Sequence, residues 1–264
     1  METQIKGRDI LIYLSLKYDG DWNKMYEAIK AKELVDATYV QERVKSVGSQ
    51  VCTIIDDDYP ETLKRIYKPP FVIFYYGKLS KLSEKQSITI LSTPKTSLKS
   101  LQRSRNVANA LATPFNVVTI MDDGANLEIA KEAASKEALV AVGFQGIDRM
   151  KAELKTFSHS DHNLILSEIP GEIGGHDDAR AWSTRLASSL GEKLLITETK
   201  SNSYESLAIG YFMYLDKQVM SLLPMSGTVN QTQRRIMEDS SIIKVARTSE
   251  VIKIMTTTTP PLSA

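Results

Sequence analysis

The spacing of apolar residues changes near residue 50. Before that point, "RDILIYLSLKY" and "DWNKMYEAIKAKEL" carry apolar side chains three and four residues apart, which predicts amphipathic helices. Asp21 stands where an N-cap belongs. "DATYVQERVKSV" supplies a third helical stretch, and Gly48 offers a stop. Residues 1–50 are therefore expected to form a small helical domain.

From Cys52 onward the pattern is one of short apolar runs. "VCTII", "FVIFYY", "SITILS", "VVTIM", "ALVAVG", "NLILS", "KLLIT" and "QVMSLL" follow one another, separated by turn residues or amphipathic stretches. Several runs are apolar almost throughout, as strands buried on both faces of a parallel sheet must be. The intervening helices are expected at Lys95 to Leu111, Ala125 to Ser135, Ala179 to Leu190 and Tyr204 to Leu215. Strands alternating with helices of that length predict an α/β fold, an extended Rossmann-like and mostly parallel sheet over residues 51–255. The closing "TTTTPPLSA" has no periodicity, so 256–264 is expected to be a disordered tail.

In such a sheet, ligands bind beyond the carboxyl ends of the strands. Ser92, Thr93, Ser167, Glu168 and Glu198 fall at that edge, as does the Gly143 to Gly146 turn. Glu168 is the conspicuous one, because "NLILSEIPGE" runs a buried strand directly into a carboxylate. Two readings fit Glu168 and Glu198. Each lines a ligand site, or each accepts hydrogen bonds from a neighbouring helix start and fixes a loop.

Composition narrows the classes. The 264 residues are 42% hydrophobic and 25% charged with a formal net charge of +1, which suits a folded globular chain and not a protein that coats nucleic acid by bulk charge. Cys52 is the only cysteine, so no disulfide framework or cysteine zinc site is expected. "DILIYLSL" is too short and too polar to span or target a membrane, so a soluble, cytoplasmic protein is expected. His159, His162 and His176 stand near acids in polar segments that read as loops, and no metal set is assigned to them. The chain shows no P-loop, no intact dinucleotide fingerprint and no Ser-His-Asp order. Neither a cofactor nor catalysis is expected.

Several segments together resemble the DNA-processing protein A (DprA, or Smf) family. "DDDYPETLKRIYKPPFVIFYYGKLSKL" resembles its Asp-x-x-Tyr-Pro-x-x-Leu stretch, with the Pro-led apolar strand and Tyr-x-Gly that follow. "AVGFQGIDRM" is similar to its Ala-Val-x-Gly-x-Gly-Leu-Asp segment, and "LILSEIPGE" to its Leu-Leu-Ser-Glu-x-Pro-x-Gly. "RLASSLGEKLLITET" and "SLAIGYFMYLDKQVMSLLP" follow in register, so the resemblance spans roughly residues 51 to 250. It implies a Rossmann-like fold, single-stranded DNA held in a basic pocket at the sheet edge, a homodimer, and delivery of DNA to the RecA recombinase. That is a non-enzymatic role in transformation and recombination.

The departures fall in the pocket. The family's Val-Gly-Ser/Thr-Arg reads Leu91-Ser92-Thr93-Pro94 here, losing a glycine and an arginine. Its glycine-rich Ser-Gly-x-Ala-x-Gly-Ile-Asp loop is replaced by "MDDGANLE", which brings in Asp122 and Asp123. Its Phe-Pro-x-Arg-Asn-Arg survives as "RAWSTR", with Arg185 the clear match. Replacement phosphate contacts are sought among Lys95, Lys99 and Arg103, spaced to share one helix face in a stretch without acids between Leu91 and Met121. Arg149, Gly146, Arg180, Trp182 and Arg185 complete the expected nucleic-acid contacts, Trp182 by stacking on bases. Alternatives from other classes are a Rossmann-fold nucleotide or small-ligand sensor of the lysine-decarboxylase-like group, and a degenerate paralogue that keeps only protein contacts.

Overall fold

A computed structural model describes residues 6–93, 96–173, 178–200, 203–224 and 229–257. The chain opens with helices α1 (Gly7–Lys17), α2 (Trp22–Lys30) and α3 (Ala37–Lys45). Then come β1 (Gln50–Thr53), the short α4 (Glu61–Lys64), β2 (Val72–Tyr76), the short α5 (Lys81–Glu84) and β3 (Ser87–Ser92). Alternation follows through α6 (Leu98–Leu111), β4 (Asn116–Ile120), α7 (Ala125–Ser135), β5 (Leu139–Val142), α8 (Ile147–Lys155) and β6 (Leu164–Ser167). The second half runs α9 (Ala179–Leu190), β7 (Lys193–Glu198), α10 (Tyr204–Tyr214), β8 (Val219–Leu222), α11 (Gln231–Glu238), β9 (Ile242–Val245) and α12 (Thr248–Thr256).

The strands form one sheet in the order β1-β2-β6-β5-β4-β3-β7-β8-β9. From β6 to β9 every pairing is parallel, and the β1–β2 and β2–β6 pairings at the other end are antiparallel. This is the α/β, mostly parallel architecture that the apolar runs predict. The sheet is covered on both sides. Ile88, Ile90, Val117 and Leu139 pack with α6, α7, α8 and α12, while Leu91, Val118, Val140 and Leu194 pack with α9, α10 and α11. Neighbouring residues of one strand thus serve opposite faces, as the pleat requires.

Local capping explains the helix starts. Asp21 is the N-cap of α2 as expected, its carboxylate accepting from the amides of Asn23 (3.0 Å) and Lys24 (3.2 Å). Asp36 caps α3 through the Tyr39 amide at 2.8 Å, and Asn230 with Gln233 makes a capping box on α11. α6 corrects the sequence reading. Ser97 caps it by accepting from the Ser100 amide at 3.2 Å, so the helix begins at Leu98 and not at Lys95. Strand β9 and helices α4, α5, α8, α11 and α12 add to the predicted elements. Residues 258–264 lie outside the described ones.

The N-terminal helices are held to the sheet by packing and by backbone approach. Leu14, Met25 and Ala28 share a buried cluster with Val72 and Phe74 of β2. Trp22 stacks on Phe71 at 5.1 Å and donates its indole N–H to the Pro69 carbonyl at 2.8 Å. Gly20 adopts φ +76°, and a Cβ there would sit 2.2 Å from the Glu168 carbonyl oxygen. Among the described residues no helix is long and apolar enough to cross a membrane.

Gly20→Ala is therefore expected to cost roughly 1–3 kcal/mol, from overpacking and from a left-handed backbone that L side chains disfavour. Thermal unfolding reads this directly. A variant melting with the parent would mean that the contact with Glu168 is not a constraint.

Candidate functional site

The parallel strands grow outward in both directions from β3. Successive strands β4, β5 and β6 extend one way, and the chain then returns to lay β7 on the other flank of β3. The carboxyl ends of β3 and β7 thus bound the topological switch point, where an open sheet leaves a crevice for ligands.

The strand-end residues turn inward there. The Ser92 amide donates to Asn126 Oδ1 at 2.8 Å and the Thr93 amide to the Glu198 carbonyl at 3.1 Å. A register shift at Leu91/Ser92 sets Ser92 opposite Glu198, whose carboxylate accepts from the Thr96 hydroxyl. Two backbone N–H groups at this strand end are satisfied within the protein and are not free to meet a phosphate. At the end of β4, buried Asp122 forms an ion pair with Arg180 from the first turn of α9. The Arg180 guanidinium lies over the rings of Phe144, at 4.0 Å, and Tyr204, at 5.8 Å.

Glu168 is answered by Arg185. Both are buried, and one guanidinium nitrogen reaches the two carboxylate oxygens at 2.6 and 2.7 Å. The other terminal nitrogen donates to the carbonyls of Tyr67, at 3.2 Å, and Lys68. Burial pushes the Glu168 carboxyl upward in pKa, and the Arg185 charge and hydrogen bonds pull it back. This corrects the expectation that Arg185 touches nucleic acid: its guanidinium is consumed inside the fold. Ser167 is likewise a turn device, its hydroxyl donating to the Gln145 carbonyl at 2.7 Å and accepting from the Ile169 amide at 3.0 Å.

The other expected contacts divide. Gly146 is buried where a Cβ would lie 2.2 Å from the Gly171 carbonyl oxygen, so its small size serves the approach of two loops. Lys99, in the first turn of α6, and Arg149, in the first turn of α8, are exposed along the carboxyl edge. Trp182 is half-buried on α9. Arg103 donates to the Leu223 carbonyl at 2.5 Å, and Arg105 pairs with Glu132 at 3.0 Å. Lys95 and His176 lie outside the described residues, while His159 and His162 are exposed in the loop before β6. Among the described residues, Cys52, Asp56 and Asp58 come within metal-ligating reach of one another. Asp56 is already held by Arg8 at 3.0 Å, and burial beside Asp58 pushes the Cys52 thiol up to about 12. That chemistry favours a closed structural corner.

Residues 50–254 match the model of the family described as DNA recombination-mediator protein A. The chain belongs to that family. Over 163 residues it is 26% identical to the DNA processing protein DprA of Bacillus subtilis, and over 158 residues 27% identical to that of Streptococcus pneumoniae. These matches take in 59% and 57% of this chain but 54% and 55% of the relatives, so the chain spans about half the length of the curated relatives it matches. The solved Streptococcus pneumoniae DprA superposes with a TM-score of 0.69 at 17% identity, covering 94% of this chain and 93% of that one. Helicobacter pylori DprA, solved in a study of its single-stranded DNA binding mode, gives 0.67 at 15% identity, covering 79% of this chain and 96% of its own. At these identities the structural likeness concerns the fold.

Against that family background, one residue of the crevice stands out that the sequence reading passed over. Glu205, in the first turn of α10, is buried, and its Oε2 has no hydrogen-bond partner. Burial raises its pKa, the Ser203 hydroxyl and its own amide lower it, and the Asp122 charge raises it further. No local pattern marks this acid, since its burial comes from the crossing of β3, β4, α9 and α10.

Two outcomes follow. Removing Glu168 strands a buried guanidinium, so Glu168→Gln and Glu168→Ala are both expected to cost about 3–5 kcal/mol in urea unfolding. Pairing Glu168→Leu with Arg185→Met should recover much of that loss, and additive single losses in the double variant would refute the coupling. For Glu205, the folded pKa lies above the unfolded one, so its contribution to stability is full below the ordinary carboxylate range and is lost as pH rises through the folded value. Glu205→Gln should accordingly raise Tm by about 2–4 °C at neutral pH, with the gain vanishing near pH 4. A gain that persists at acid pH would point to packing instead of ionisation.

Proposed function

We propose that this protein binds single-stranded DNA along the carboxyl edge of its sheet and acts, without catalysing a reaction, in DNA uptake and recombination. The observation that carries this reading is the family match across residues 50–254, which takes in every strand end of that edge. The single-stranded DNA binding named for the Helicobacter pylori relative supports it. On this reading Lys99 and Arg149 contact phosphates, and Trp182 with Tyr204 offers flat surfaces to bases. The protein then passes the strand to a RecA-type recombinase, as a soluble cytoplasmic homodimer.

Exposed apolar residues on α10 support the dimer. Ala208 and Phe212 face the core, yet Leu207, Met213 and Tyr214 on the same helix are exposed, beside an equally exposed Tyr67. A helix apolar on both sides presents a surface that a second chain can cover.

The phosphate contacts are expected to be fewer than in relatives with the full motif. The arginine after β3 is replaced by Pro94, Arg180 shares its charge with Asp122, and Arg185 is buried. Titration of a fluorescent single-stranded oligonucleotide at a series of salt concentrations tests this. Lys99→Ala with Arg149→Ala should lower the slope of log K against log [salt] by about 1.4, the share of two phosphate contacts on a single strand. An unchanged slope would remove these residues from the interface, and no binding at low salt would defeat the reading itself.

A further inference from the structure

The switch-point crevice ends in a cavity of about 10 Å³, room for one water-sized group. Leu91 and Ile120 form its apolar floor, and Asp122, Asn126, Arg180, Tyr204 and Glu205 line the rest. The polar groups are unequal in what they leave open. Asp122 is neutralised by Arg180, and Asn126 Oδ1 is taken by the Ser92 amide. Glu205 Oε2 is left without a partner although the residue is 3% exposed. The cavity is therefore a one-group acceptor site that asks for an N–H donor. Its other boundary is flat: the Arg180 guanidinium lies over the Phe144 and Tyr204 rings, and both Arg180 and Tyr204 remain partly exposed. A planar ligand can rest on that surface while a single small group reaches inward.

We propose that this chamber receives the exocyclic amino group of a nucleobase from the bound strand, so that the crevice favours amino-bearing bases over thymine. The assignment rests on the single-stranded DNA reading above. Glu205 accepts the amino hydrogen, as carboxylates do from the N4 amino group of cytosine, and the positive end of α10 supports the ionised carboxylate. Thymine presents carbonyl oxygens in the corresponding positions, and a carbonyl facing a buried carboxylate is repelled. An isolated phosphate is a poor occupant, because the uncompensated charge at the cavity is negative.

Fluorescence anisotropy with oligo-dC and oligo-dT of equal length, at neutral pH and one fixed salt concentration, tests the assignment. The parent protein should prefer dC by about fivefold to tenfold, the discrimination expected of one such contact. Glu205→Gln, whose amide can donate as well as accept, should bring the ratio close to one, and Glu205→Ala should do the same. Thermal melts of both variants establish that they are folded. Equal affinity of the parent for dC and dT, or a preference that survives both substitutions, would overturn the chamber assignment while leaving single-strand binding intact. Failure of either strand to bind would overturn the DNA reading and this assignment together.

Discussion

The sealed contact between Glu168 and Arg185 fixes the corner on which the rest of the fold depends. Taking both charges out of water is costly, and that cost is offset by further acceptors for one terminal nitrogen, while Arg185 Nε stays buried without a partner. Those acceptors belong to a segment that has no ladder of its own. From Tyr67 to Pro70 four successive carbonyls receive side-chain donors: Arg185 at Tyr67 and Lys68, Trp22 at Pro69, Tyr59 at Pro70. Pro69 and Pro70 have no amide to donate, so the segment is rich in acceptors, and three side chains from elsewhere in the fold supply donors to them. Helix α9, the end of β6 and the N-terminal helices meet at this point, with Gly20 pressed against the backbone of Glu168 itself.

The same helix that buries Arg185 carries Arg180 to the crevice, and the two arginines show how position decides function. One charge is locked into the frame and the other stands at the mouth of a site, tempered by Asp122. The crevice departs from the family pattern that the sequence resembles, with Ser92 and Pro94 in place of glycine and arginine and with Asp122 and Asp123 brought in. Its backbone amides at Ser92 and Thr93 are used internally, and the exposed cations along the same edge include Lys99 and Arg149.

The sheet was legible because its central strands, such as β3, β4, β5 and β6, are buried throughout and so read as short apolar runs between turn signals. α7 and α9 were legible to the residue, their ends marked by a change from apolar periodicity to turn residues. β9 was not, because only Ile242 and Val245 of its four residues are buried and Lys244 interrupts the apolar run. The start of α6 was misplaced because the basic spacing suggested a helical face, whereas Ser97 is the residue that caps it. At the site, Glu168 could be flagged from its strand-end position, but its partner lies seventeen residues on in another element. Arg185 therefore looked like a surface arginine. Glu205 left no trace at all, since neither its burial nor its unpaired oxygen exists until four elements converge.

The pairing of β2 with β6 also dictates an order of events during synthesis. Phe74 lies opposite Ser167, so the strand that completes the N-terminal part of the sheet is made long after β2 itself. Until then Val72, Ile73 and Phe74, all buried in the finished protein, have an open edge on the side away from β1. Loop closure of that length is slow to nucleate, and an uncapped apolar edge is a template for any strand that reaches it first. Two nascent chains on neighbouring ribosomes present matching edges of this kind. The fold thus leaves this edge exposed to misassembly at the ribosome until β6 emerges and joins β2 to the parallel strands.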